Sequence, residues 1–144
     1  MVSFQREYIL TLINNIMKTF ISTMAYAEDF KTVGRTGWGC GYVHIPKDHP
    51  ILVETLVSDG WGDYLQPKDC PEEITLSRWD KDQEYYMIGF DTAHSYNNDS
   101  HDEEYVIAQA NAIKELVDSY DWKDAFFYAL EQIRLVTEKY SKYL

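Results

Sequence analysis

The chain has 144 residues, a hydrophobic content of 45% and a net charge of −11 at neutral pH. That length suits one domain with a core of its own, and that composition excludes a disordered tail. An acidic surface repels phosphate backbones and anionic lipid, so direct nucleic-acid binding and a membrane role are disfavoured; either it is simply solvated or it imitates nucleic acid toward a basic partner. Two cysteines, Cys40 and Cys70, are too few for a disulfide framework and point to a reducing cytosol. Twelve Tyr and four Trp are many for this length; either they pack the core or they line a surface that stacks on something.

Residues 4–24 read as a helix. Phe4, Tyr8, Leu12, Ile16 and Phe20 repeat every four residues, with Ile9, Ile13 and Met24 widening the stripe. Asn14, Asn15 and Lys18 interrupt the run, which disfavours a membrane span. Ala25-Tyr26-Ala27 resembles a leader cleavage site, but Arg6 is balanced by Glu7 and the apolar stretch is broken, so cleavage is the lesser reading. Such a helix would pack on the domain or pair with a second copy, giving a homo-oligomer through the N-terminal helix.

Four of the seven glycines lie in Gly34-Arg35-Thr36-Gly37-Trp38-Gly39-Cys40-Gly41, a tight or ligand-cradling loop around Arg35. It lacks the Gly-Lys-Ser/Thr ending of a phosphate loop and runs into a strand rather than a helix. That strand, residues 41–45, sets Val43 and Ile45 on one face and Tyr42 and His44 on the other. Pro46 ends it, and Pro50 holds His49 out of helical geometry. Residues 51–57 suggest a short helix and residues 59–71 a loop that folds back on Trp61 and Tyr64.

Residues 73–78 alternate, with Ile74 and Leu76 inward and Thr75 and Ser77 outward. A polar turn hands over to residues 85–90, apolar or aromatic on both faces apart from Gly89. This is the pattern of a central strand, and residues 73–90 form a hairpin. Ser100 and Glu103 make a capping-box pattern before a helix with Val106, Ala110, Ile113, Val117 and Tyr120 on one face. Asp121 can cap a second helix bearing Trp122, Phe126, Leu130, Ile133 and Tyr140. The expected fold is α+β, one domain over residues 1–144. A small antiparallel sheet, within a core at 37–94, packs against an N-terminal helix (4–24) and a C-terminal helix pair (100–142).

Titratable groups gather after the strands: His49, then Asp91 and His94, then Asp99 and His101. If the first strand ran parallel to the central one, His49 and Asp91 would share an end of the sheet. His49, Asp91 and His94 would then suit a divalent metal with an open position, the one cofactor in view. They would equally suit a general-base pair in which Asp91 fixes the tautomer of His94. The bland alternatives are an Asp that caps a turn through its side chain and a His before Pro whose ring bonds backbone. No catalytic residue is assigned beyond these candidates. A binding pocket would use the region differently. Tyr42, His44, Thr75 and Ser77 on one sheet face, with Arg35, Arg78, Trp38 and Trp61, would hold a small anionic aromatic ligand by stacking and by phosphate contacts. Otherwise these side chains lie beneath a helix.

The run Gly39-Cys40-Gly41-Tyr42-Val43-His44-Ile45-Pro46 through His49-Pro50, then Glu73-Ile74-Thr75, then Ile88-Gly89-Phe90-Asp91-Thr92-Ala93-His94, resembles a largely uncharacterised family of small proteins encoded by bacteriophages and prophages. The resemblance spans residues 37–118 and brings no settled chemistry. It implies a context: a cytoplasmic accessory protein of an infecting phage. Small proteins of that kind counter host defence by binding. The expected function is therefore non-catalytic sequestration of a small anionic, nucleotide-like signal or of a host defence protein. A metal-dependent hydrolase using His49, Asp91 and His94 is the alternative from another class, and an acidic DNA mimic is the third.

Overall fold

The computed structural model describes residues 5–6, 17–30, 36–57 and 64–143. Four strands among them form one antiparallel sheet: β1 (Phe20–Ala25), β2 (Gly39–Pro46), β3 (Leu76–Trp79) and β4 (Tyr85–Asp91). Their order is β1-β2-β4-β3. A 3₁₀ helix, Pro50–Val57, follows β2, and two helices close the chain, α1 (Glu103–Ser119) and α2 (Trp122–Ser141). The class is α+β with a small antiparallel sheet, as the periodicities predict. β4 is interior, where an unbroken apolar run belongs, and it pairs with β3 across the polar turn.

One face of the sheet is covered. Val43 and Ile45 of β2 and Tyr86, Ile88 and Phe90 of β4 point into it. α1 crosses this face and sinks Val106, Ala110, Ile113 and Val117, none more than 1% exposed. Each buried aliphatic side chain of this size is worth about 1.5–3 kcal/mol, so the stripe is the main hold on α1. The close approach needs Gly41: a Cβ there would sit 2.6 Å from the Phe90 ring and 3.3 Å from Val106. Ile51, Leu52, Leu65 and Ile74 complete the cluster.

Four expectations need correction. Residues 20–24 are strand, not helix: β1 pairs with β2 from Phe20↔His44 to Ala25↔Gly39. Ile21 and Thr23 are β-branched and alternate with Phe20, Ser22 and Met24, so a pleated ladder suits them better than a helix. Of the rest of the expected 4–24 helix, Gln5 and Arg6 are helical and residues 17–19 are irregular. Residues 4 and 7–16 lie outside the described residues, and so does the expected oligomer contact through them. Among the described residues, the α-helices packed against the body are C-terminal.

The second correction concerns β3. It begins at Leu76, later than expected, and its phase differs by one residue. The Gln66 side chain accepts from the Ile74 amide at 2.8 Å, so Ile74 is buried outside the ladder, and Leu76 starts the strand facing the other way. A shift of one residue inverts every side chain that follows. Third, α1 is capped by Asp102, whose Oδ1 accepts from the Tyr105 amide at 2.9 Å. Ser100 instead donates, through its amide and hydroxyl, to Asn98 Oδ1 at 2.8 and 2.6 Å. Fourth, the helix pair is not stacked on the sheet as a unit: α1 packs on β1 and β2, whereas α2 packs on the 3₁₀ helix. Asp121 does cap α2, with Asp124 returning the bond.

Candidate functional site on the open face of the sheet

α1 occupies one face of the sheet, and the other face collects the polar and aromatic side chains. The register builds it in three rows. Phe20, His44, Met87 and Arg78 lie side by side across the four strands. Ser22, Tyr42, Gly89 and Leu76 form the next row, and Met24, Cys40 and Asp91 the third. Alternation along each strand, with Val43 and Ile88 inward, fixes this set outward.

Packing holds the rings in place. His44 stacks on Phe20 with centroids 4.3 Å apart and planes 4° from parallel, and Tyr85 meets Phe20 edge-on at 5.1 Å. His44 Nε2 is hydrogen-bonded to Ser22 Oγ at 2.6 Å. Burial lowers the His44 pKa, against a smaller raising effect of Asp80, so the ring is neutral at pH 7. The Tyr42 ring lies over Gly89, where an added Cβ would sit 2.5 Å from it. Glycine is required here for close approach rather than for an unusual backbone angle. Burial pushes the Tyr42 hydroxyl up to about 12, helped by Cys40 and Asp91 and opposed by Arg78. It is therefore a donor at neutral pH, not a base. Cys40 also donates its thiol toward the Tyr26 hydroxyl at 3.7 Å, and that hydroxyl accepts from the Thr92 amide at 3.0 Å. Burial raises the Tyr26 hydroxyl as well.

At the C-terminal end of β4, Asp91 organises a turn. Its Oδ2 accepts from Thr75 Oγ1 at 2.8 Å and its Oδ1 from the Ala93 amide at 3.0 Å. The same Oδ1 lies 3.3 Å from His94 Nε2. His94 stacks on Tyr96 at 5.1 Å, and its amide donates to Asn97 Oδ1 at 2.9 Å. Asp91 thus caps the turn and contacts His94 at the same time. Thr92 is fully buried and ties the turn to β2: its hydroxyl donates to the Gly39 carbonyl at 2.7 Å and accepts from the Gly39 amide at 3.1 Å.

The expected residues separate into groups. Tyr42, His44, Arg78, Asp91, His94 and Thr75 do gather on or beside the open face. His49 does not. β2 and β4 are antiparallel, with Cys40 opposite Asp91 and Pro46 opposite Tyr85, so His49 leaves the other end of the sheet. Six residues of strand part it from Asp91, about 20 Å. There His49 behaves as the turn residue: Nδ1 accepts from the Ile51 amide at 3.1 Å, and burial lowers its pKa. It borders a separate hollow of about 400 Å³ with Lys18, Lys114 and Asp118. No three His, Cys, Asp or Glu side chains among the described residues are placed to hold a metal ion. His101 uses Nδ1 to accept from the Asn98 amide at 3.0 Å.

Ser77 turns to the covered face, sharing a hydrogen bond with the Tyr86 hydroxyl at 2.7 Å and accepting from the Leu65 amide at 3.2 Å. Trp38 packs against the hydrophobic core. Arg35 and Trp61 lie outside the described residues. Phe20, Ser22 and Met24 were missed as site residues because β1 reads as helix; the alternation of Ile21 and Thr23 was the signal that could have found them. Among its described strand residues the face offers the Arg78 cation, the Asp91 carboxylate, hydroxyl donors and the Phe20, Tyr42 and neutral His44 rings. That set recognises by stacking and by directional hydrogen bonds. No family model, curated protein or solved structure matches this chain.

Proposed function

We propose that the protein is a phage-encoded accessory protein that acts by non-catalytic binding in the host cytoplasm, with the open sheet face as its binding surface and a host defence protein as its target. The observation that carries this reading is the side-chain set on that face. Phe20, Tyr42, Met24, Met87 and Arg78 belong to the residue types enriched at protein interfaces, and the first three stand on strands, β1 and β2, that α1 fixes from behind. The overall charge of −11 favours a basic partner by steering. The phage context rests on the motif resemblance alone.

The small nucleotide-like signal is the second reading. It is supported by the ring pair Phe20–His44 in the row that ends, across Met87, at Arg78, and it draws its second arginine, Arg35, from outside the described residues. Among strand residues of this face Asp91 is the one carboxylate, which gives a DNA mimic little to use there. The hydrolase reading loses its third ligand with His49.

Immobilised protein and host extract test the proposal. A host protein retained by the wild type should be lost from both Phe20→Glu and Arg78→Glu while circular dichroism stays unchanged. Retention of the same set by all three sinks the reading. A nucleotide freed by heating the purified wild type, and absent from the Arg78→Glu variant, would move the function to the small-ligand form.

A further inference from the structure

A hollow of about 270 Å³ opens where α2 meets the body, between the 3₁₀ helix, residues 67–69, the end of α1 and the start of α2. Ile51, Pro67 and Leu116 give it apolar walls. Its charged lining is mostly acidic, with Glu54, Asp69 and Asp124 against Lys68. Acidic side chains on a chain of net charge −11 are ordinarily just solvated. Two groups in this hollow are not. Glu54 is half-buried, and the loss of water raises its carboxyl pKa. No ion pair reaches it, or Lys68, among the described residues. Tyr120 lines the same hollow, and its oxygen is buried with no hydrogen bond of normal geometry among those residues. A desolvated carboxylate without a counter-ion and a buried oxygen without a partner are both costly to a fold.

The chemistry of the lining says what would offset the two costs together. An ammonium group donates in three directions, so it can serve the Glu54 carboxylate and the Tyr120 oxygen at once while cancelling the charge. An anion would meet three carboxylates instead. An inorganic cation does not fit either, because no three acidic or imidazole side chains among the described residues are placed to hold a metal ion. The carboxylates are instead graded by depth: Glu54 is half-buried, whereas Asp69 and Asp124 are exposed. A guest with an ammonium at each end of an apolar chain matches that order. The volume lies below the ~300–1,000 Å³ of drug-sized sites, so the chain is short and a nucleotide is excluded.

We propose that this hollow binds a short aliphatic diamine, with one ammonium at Glu54 and Tyr120, its methylenes along Ile51, Pro67 and Leu116, and the other ammonium at the Asp69 and Asp124 rim. The proposal does not rest on the binding role of the sheet face, whose residues line no part of the hollow.

Calorimetry of the full chain with diaminobutane, at neutral pH and fixed ionic strength, should show saturable binding at a single site. Butylamine keeps the methylenes but has one ammonium, and should bind roughly tenfold more weakly. Glu54→Gln should also weaken diaminobutane by roughly tenfold, and Tyr120→Phe by roughly threefold. A merely structural Glu54 would change the melting temperature and leave the affinity alone. Asp82→Asn removes the same charge in the β3–β4 turn and should leave the affinity unchanged. The absence of saturable heat overturns the proposal, as does an affinity untouched by both Glu54→Gln and Tyr120→Phe. Equal weakening by Asp82→Asn and Glu54→Gln would reduce the effect to net charge and overturn it too. So would a lysine-rich peptide that binds through Glu54 where diaminobutane does not, which would give the hollow to a protein side chain.

Discussion

α1 and α2 begin alike and end differently. Both start at an aspartate cap, with Asp102 accepting from Tyr105 and Asp121 from Asp124, and both carry an apolar stripe at helical spacing. α1 hides four residues of its stripe completely, whereas α2 buries Ala125 alone. Residue size accounts for much of this. Val106, Ala110, Ile113 and Val117 are compact enough to lie close on a sheet opened by Gly41. Trp122, Phe126 and Tyr140 are bulky, amphipathic anchors of the sort that dominate interfaces between chains. An apolar stripe tells that something will cover it; the side chains in it indicate whether the cover is the chain's own core.

Matched truncations give the sharpest contrast. Ile113→Ala should cost about 2–5 kcal/mol in denaturant unfolding, by lost burial and a cavity. Ile133→Ala, at a side chain 62% exposed, should stay within about 0.5 kcal/mol of wild type. Equal costs would erase the distinction between the helices. The caps give a smaller effect. Asp102→Ala should lower global stability by about 1 kcal/mol, because α1 belongs to the core. Asp121→Ala should speed amide exchange in the first turn of α2 while the melting temperature moves less.

The smallest effect lies where α2 meets the body. Glu54, on the 3₁₀ helix, has its carboxyl pKa raised by burial, against a lowering by Tyr120. The Tyr120 hydroxyl is itself pushed up by burial and then by the Glu54 charge. Its oxygen is buried, and no hydrogen bond of normal geometry reaches it among the described residues. A raised carboxyl keeps its proton longer in the folded state, so stability falls as pH rises from the ordinary value of 4.5 through the raised one. Glu54→Gln should therefore melt higher than wild type at pH 7, and the gap should close as pH drops through that window. An unchanged gap across the titration would mean that the Glu54 carboxylate is as well solvated in the folded chain as in the unfolded one.

Much of this was legible from the residues in line. The hairpin that ends in β4, the buried stripe of α1 and the cap at Asp121 follow from spacing. The Asp91–His94 contact does too, since three residues in a turn keep the two side chains within reach. His49 could not be placed that way. Its distance from Asp91 depends on whether β2 runs with or against β4, and nothing local to either strand encodes that. Ser77 was misplaced for a related reason: the Gln66 side chain, eight residues before Ile74, takes an amide that the ladder would otherwise hold.

Periodicity, caps and turns are properties of neighbouring residues, and by themselves they determined which segments are strand or helix from β2 onward and which side of α1 is apolar. Strand direction, register and the fate of each apolar stripe join residues tens of positions apart through backbone ladders and packing. Only the folded chain decided those. They drew Phe20 and Arg78 onto one face, sent His49 to the far end, and left the outer half of α2 uncovered.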